Sequence, residues 1–432
     1  MNENSTDKSS NAETVEKKKW LILRNSNFFL LWLGQICNQA GAKMYQLAVA
    51  WWILSQMGEN GGKALGFFMV LGALPSILLV KFAGRFIDRS SSKKIIVNSD
   101  FICSSLMLGV FFALKYSVIG IKGIFVVGIL TALVETFFNP TISKALPEIV
   151  DENDMEQAVA FQSSTQYLAS FTGAVAGAAL IEMLGIQYVT LLNCMTYGTA
   201  SFLESFIEFR PLIKPSADTS PESAENKTSS SSERERMATG FNFFKFFPLL
   251  GKILVGFGMT NFFVTPILVI MPLYTKMALN APASTLGALE ACLWVGLIIG
   301  TFTAGFINFI KNILKLGAAS IFIFGFCMFL SGIFVNSFFY GTMMLIAGIS
   351  MGNNNVKFIA LFQRVVPADI KGKFFAMMQA LISFSFPIAY LVFGFLGDYV
   401  GPAKVCQIQG VGTMLLSIYF LVLSKHEHEL KA

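Results

Sequence analysis

Long apolar runs alternate with short polar breaks along almost the whole chain. Twelve runs can be marked, at 28–54, 64–87, 95–114, 121–143, 158–182, 187–209, 250–275, 284–308, 313–335, 338–362, 372–397 and 403–424. Each approaches the roughly 20 mostly apolar residues that carry a helix across a bilayer. Backbone polar groups in lipid are satisfied within a helix or within a closed barrel. Barrel strands need only about ten residues, so runs of this length exclude them. The pattern predicts an all-α membrane protein with twelve transmembrane helices.

The polar segments divide the runs into six and six. A cytoplasmic N-terminal tail is expected over 1–27, rich in Ser, Asn, Glu and Lys. A six-helix bundle over 28–209 follows, then a linker over 210–249 containing SADTSPESAENKTSSSSERER, a composition that forms no core. A second bundle over 250–424 and a short tail over 425–432 complete the chain. LPEIVDENDMEQAVAFQ (146–162) and FQRVVPADIKGKFFAMMQ (362–379) both follow a run with a polar turn, about 216 positions apart. This faint repeat predicts two pseudo-symmetric bundles.

Composition and charge agree with the pattern. The chain of 432 residues is 54% hydrophobic and only 13% charged, against about 25% charged in soluble domains. The net charge of +6 is therefore read by location. Of 32 Lys and Arg, 24 fall on the side that carries both tails and the linker, and five on the other. The bias predicts that both termini are cytoplasmic in a plasma membrane, expected to be a bacterial inner membrane. It does not call for a nucleic-acid partner. The six cysteines are scattered singly and read as small buried hydrophobes. The two histidines, His426 and His428, lie in the C-terminal tail. No metal spacing, no phosphate loop and no catalytic triad is present, so neither a cofactor nor an enzyme is expected.

One polar break carries more than topology. GRFIDRSSSKK (84–94) lies between two apolar runs, and Gly84, Asp88, Arg89 and Lys93 fit the pattern G-x-x-x-D-R/K-x-G-R/K-R/K. This resembles the loop between helices 2 and 3 of the major facilitator superfamily. Ser91 stands where the family has glycine, and Ser92 where it has a basic residue. LWLGQICNQAGAKMYQLAVAWWIL (31–54), LGALPSILLVKFAGRFIDR (71–89), FFNPTISKALPEIV (137–150) and FFAMMQALISFSFPIAYLVFGFLGD (374–398) are similar to segments of its macrolide- and enterobactin-exporter branch. One departure stands in the fifth run, where SFTGAVAGAAL (170–180) keeps Gly173-x-x-x-Gly177 but lacks the Gly-Pro pair of antiporters. The resemblance implies that helices 1, 4, 7 and 10 line a cavity. It also implies that Asp88 and Arg89 gate the cytoplasmic side, with Asp88 near the start of the eleventh helix when that side is closed.

Ionisable residues at bilayer depth cost about 3 kcal/mol or more, which makes each a functional candidate. Lys43 lies deep in the first run and Glu135 deep in the fourth. Two readings stand: the two face one cavity and pair, or Lys43 only lines a wet crevice. A carboxyl away from bulk water is disfavoured in its charged form, so Glu135 is the first candidate for a proton carrier. Glu290 is the second, with a hydrated place near the outer mouth as its alternative. Glu204 and Glu208, close to the end of the sixth run, read as interfacial. GNNNVK (352–357) places Asn353 and Lys357 on one helix face. With Asn261 they are substrate-cavity candidates, interhelical hydrogen bonding being the other reading. Asn193, Thr265 and Gln35 are weaker candidates. Pro75, Pro266 and Pro387 are expected to kink their helices.

Together these features predict a secondary transporter, monomeric, exporting an amphiphilic small molecule such as a siderophore or drug-like compound by proton-coupled alternating access. Siderophore import and lysophospholipid flipping use the same scaffold and remain open. A non-transporting receptor is the alternative of another class.

Overall fold

The computed structural model describes residues 21–151, 154–210, 247–304, 312–366 and 370–426. The expected N-terminal tail up to residue 20, most of the linker and the end of the C-terminal tail, His428 included, lie outside the described residues.

Among the described residues twelve long helical segments follow one another: α1 Ser26–Met57, α2 Gly61–Arg89, α3 Ser92–Lys115, α4 Ile121–Ile149, α5 Met155–Leu184 and α6 Ile186–Ser205 in the first half. The second half holds α7, which begins as Pro248–Val264, α8 Ala283–Thr303, α9 Ile313–Ile333, α10 Ser337–Val365, α11 Lys371–Val400 and α12 Pro402–Leu423. The shortest, α6, has 20 residues, about 30 Å at 1.5 Å per residue. Nine apolar stretches among the described residues suffice to cross a membrane by length and composition. The first of these joins α1 to α2. The helices α6 and α10 fall outside the set, and they carry Asn193, Glu204 and the triple asparagine.

Local chemistry explains several starts and stops. Asn25 Oδ1 accepts from the Phe28 N–H at 3.0 Å and caps α1, while its Nδ2 donates to the Ile149 carbonyl at 2.9 Å. Asn312 and Asn336 cap α9 and α10 in the same way. Gly185 and Gly401 turn the chain from α5 into α6 and from α11 into α12 with φ of 81° and 85°, a conformation that favours glycine. They stand 216 positions apart, the spacing of the sequence repeat.

The packing repeats as well. The helix pairs α1–α5, α1–α6, α2–α4, α3–α4 and α3–α6 recur in the second half as α7–α11, α7–α12, α8–α10, α9–α10 and α9–α12. Contacts α2–α11 and α5–α8 join the halves. Large apolar side chains such as Phe101, Phe202, Phe302 and Leu415 are exposed on the outside, as lipid contact requires.

Three expectations are adjusted by the coordinates. The polar break at 84–94 is mostly helical, because α2 runs to Arg89 and α3 starts at Ser92, leaving Ser90 and Ser91 as the turn. Of the three prolines, Pro266 breaks its helix: α7 resumes as Ile267–Leu273 and ends in a wide π-type turn, Tyr274–Ala278. Pro75 and Pro387 sit inside continuous helices. Glu204 is not interfacial. It is fully buried, whereas Glu208 is exposed.

Candidate functional site

A cavity of about 440 Å³ opens among α1, α2, α3, α4, α5 and α6, with Phe386 and Tyr390 of α11 closing one side. Its polar lining includes Asn38, Lys43, Gln46, Asp100, Glu135 and Gln166. Glu135 is accessible, but to the cavity; it also lines a second space of about 420 Å³ between α2 and α4. A smaller cavity of about 30 Å³, the room of one or two waters, holds Glu290 of α8 together with Lys43 and Gln46.

Lys43 therefore stands between two carboxyl groups from different halves. It lies within electrostatic reach of both Glu135 and Glu290. Its Nζ donates to Gln46 Oε1 at 3.2 Å, one helical turn on. The lysine is set here by close helix packing. The Cβ of Lys43 fills the place a side chain on Gly173 would need, and a Cβ on Gly177 would lie 2.9 Å from Met44 Cα. The Gly173-x-x-x-Gly177 pair thus seats α5 directly on α1 at the lysine.

The remaining substrate candidates are placed elsewhere. Asn261 of α7 donates to its own helix, to the Phe257 carbonyl at 2.9 Å. Asn353 is buried, and neither its Nδ2 nor its Oδ1 has a partner. It follows Gly352, one of four glycines (Gly296, Gly300, Gly348, Gly352) that bring the α8 and α10 backbones together. Neither Asn261, Asn353 nor Lys357 lines the two cavities around Lys43. The expected set of helices 1, 4, 7 and 10 is thus only partly realised: α1 and α4 line the main cavity, α7 reaches only the small one, and α10 reaches neither.

The two ends of the molecule differ. Four hydrogen bonds between described residues join the halves, and all lie at the end away from the Asp88 turn. Asp398 of α11 accepts from the backbone N–H groups of Gly62 and Lys63, Glu182 of α5 accepts from Ser284 N–H, and Lys276 donates to Ser55. Lys276 also lies over the Trp51 ring, 5.0 Å from its centroid. At the other end Asp88 and Arg89 are exposed, and a methyl group added to Gly84 or Gly372 would meet open space. Lys93 donates to the Ile207 carbonyl at 2.9 Å. Lys144 donates to two carbonyls where α2 ends, Ile87 in its last turn at 2.7 Å and Ser90 just beyond it at 2.9 Å. In this conformation the Asp88 carboxylate is not docked on the start of α11.

Sequence reasoning passed over Asp100. It lies in the apolar core of α3, fully buried, and accepts from Asn38 Nδ2 at 2.6 Å. Close behind Lys93 and Lys94 at the start of its apolar run, it reads from the sequence as part of a helix end.

A helical membrane protein of two like halves, closed at one end around a charged interior cavity, has the architecture of a secondary carrier. The chain belongs to the major facilitator superfamily: residues 31–389 match the model of that family. It is 22% identical over 377 residues to macrolide efflux protein A of Streptococcus pyogenes, covering 87% of this chain and 90% of that one. Macrolide efflux protein A of Enterococcus faecalis is 23% identical over 322 residues, covering 74% and 96%. Among solved structures, a bacterial homologue of the iron transporter ferroportin in an inward-facing state superposes with a TM-score of 0.72 at 13% identity, over 93% of this chain and 99% of that one.

Proposed function

We propose that the protein exports an amphiphilic small molecule, a drug-like compound or siderophore, across a bacterial inner membrane in exchange for protons. The observation that carries this reading is Lys43 set between Glu135 and Glu290 at the edge of the main cavity. Both carboxyls attract the one lysine, and they come from opposite halves. A proton arriving at Glu135 cancels its pull and leaves Lys43 to Glu290. A cation that changes partner across the interface links charge to the relative position of the halves. The relatives named for macrolide efflux support an amphiphilic substrate and the outward direction.

The test is substrate-induced proton movement in proteoliposomes, wild type against Glu135→Gln. The panel comprises a macrolide, a lipophilic cation, catecholate and hydroxycarboxylate siderophores and a lysophospholipid. Proton flux with one ligand class, lost in Glu135→Gln, is the expected result. Flux that survives the substitution removes Glu135 as the carrier. Substrate movement without protons sinks the coupling.

A further inference from the structure

Two carboxyl groups meet inside the first half with no basic side chain beside them among the described residues. Asp100 of α3 is 1% exposed and Glu204 of α6 is 0% exposed. They lie 104 positions apart in sequence. The antiparallel packing of α3 on α6 brings them together: Ser201 Oγ donates to the Val97 carbonyl at 3.0 Å, and Ser104 Oγ to the Cys194 carbonyl at 2.9 Å. Side chains tilt toward the N-terminus of their own helix. On antiparallel helices Asp100 and Glu204 therefore converge on the level of Val97 and Ser201, where each carboxyl acts electrostatically on the other.

The helix α1 closes the site. Asn38 Nδ2 donates to Asp100 Oδ1 at 2.6 Å, and Gln35 Nε2 donates to Glu204 Oε1 at 3.3 Å. Gly34 leaves room for the glutamate, since a Cβ there would lie 3.0 Å from Glu204 Cγ. The other two oxygens, Asp100 Oδ2 and Glu204 Oε2, are buried, and no described protein group donates to either.

Two ionised carboxylates are acceptors only and cannot bond to each other. With no basic side chain at hand among the described residues, a hydrogen on one of the two oxygens satisfies both. We propose that Asp100 and Glu204 form a single-proton site, one proton shared between two carboxyl groups on the wall of the main cavity. Asp100 itself lines that cavity, in company with Asn38 and Glu135. Binding converts a carboxylate pair and a proton into one carboxylic acid bonded to one carboxylate, and the negative charge falls from two to one. The other titratable groups that act on the pair are Cys37 of α1, Cys103 of α3, Glu135 of α4 and Tyr197 of α6. Lys43 acts on Glu135 and Glu290. Losing the proton sets two negative charges against each other between α3 and α6. Their amide partners, Gln35 and Asn38, stand on the helix that carries Lys43.

The site gives the proposed proton coupling a second address, but its test needs no transported substrate, so the two readings fail separately. The full chain in lipid vesicles is followed by infrared spectroscopy through the carboxylic C=O band as pH is stepped, in sodium and in choline chloride. At neutral pH the wild type is expected to exceed the double variant Asp100→Asn/Glu204→Gln by one protonated carboxyl, equally in both salts. The wild-type pair takes up two protons in separated steps, and each single variant titrates once, between them. A difference of no proton or of two overturns the proposal. So does a band that appears only without sodium, which marks a cation site instead. Should the variants misfold, carbon-13 labelling of aspartate in the wild type resolves the Asp100 band on its own.

Discussion

The Asp398 carboxylate sits on the first turn of α2, its Oδ1 2.7 Å from the backbone nitrogen of Gly62 and its Oδ2 2.8 Å from that of Lys63. The repeat produces the same contact once more: Glu182 Oε2 lies 2.9 Å from the nitrogen of Ser284 in the first turn of α8. Asp398 and Glu182 are 216 positions apart, like Gly185 and Gly401. Two carboxylates, each at the end of one half, thus cap two helices of the other half.

A carboxylate at a helix N-terminus contributes about 0.3–1 kcal/mol, and up to about 2 when partly buried. Removing Asp398 is therefore expected to shift the balance between closed and open far ends by roughly two- to fivefold. Spin labels on Met57 and Tyr399 in a cysteine-free background report it: Asp398→Ala broadens the distance distribution toward longer values, and Asp398→Ala/Glu182→Ala does so further. An unchanged distribution in the double variant would show that the caps do not hold this end.

The seat of α5 on α1 predicts a steric effect. Gly177→Ala places a methyl group 2.9 Å from Met44 Cα and 3.0 Å from its carbonyl oxygen. Overpacking of this kind costs about 1–3 kcal/mol. Gly109→Ala, which meets nothing within 4 Å, is the matched control. Thermal unfolding in detergent is expected to separate the two, and equal melting temperatures would contradict the close packing.

Removing the cation between two carboxyls should destabilise the fold. Lys43→Met is expected to lose about 1–3 kcal/mol, less than a fully buried pair because the cavity reaches the lysine. Adding Glu135→Gln should recover part of the loss. A double variant no more stable than Lys43→Met would argue that the two residues do not interact.

At the Asp88 end, stability and transport should separate. Lys144→Met removes a cation from two carbonyls where α2 ends and is expected to lower stability by about 1 kcal/mol. Asp88→Asn should leave the melting temperature unchanged, because Asp88 is exposed here. On the gating role that the loop pattern implies, it should slow substrate movement in the vesicle assay. A lower melting temperature in Asp88→Asn would mean that Asp88 already has a partner.

Much of the architecture was legible in the sequence because lipid imposes a simple rule on length and polarity. The runs around Lys43 and Glu135 were long enough for a single charge to stand out. Asp100 and Glu204 were not legible for a physical reason. Glu204 stands one residue from the end of α6, where a charge normally meets water. Its burial depends on α1 and α3, which contribute Gly34, Gln35 and Asp100. Asp100 follows the basic Lys93 and Lys94 so closely that it reads as part of a helix end. Asn353 carried two readings, a cavity residue or an interhelical contact, because polarity alone does not separate them; it lies buried beside the glycine packing of α8 on α10.

The main cavity takes its polar wall from the first half and two aromatic rings, Phe386 and Tyr390, from the second. The two halves repeat in shape but not in chemistry. One lines the cavity with hydrogen-bonding and ionisable groups; the other closes one side of it with rings and packs on the first at glycines, Gly394 against Gly62 and Gly66. Substitutions on the first side are expected to change what is held, and substitutions at the glycine contact how tightly the halves fit.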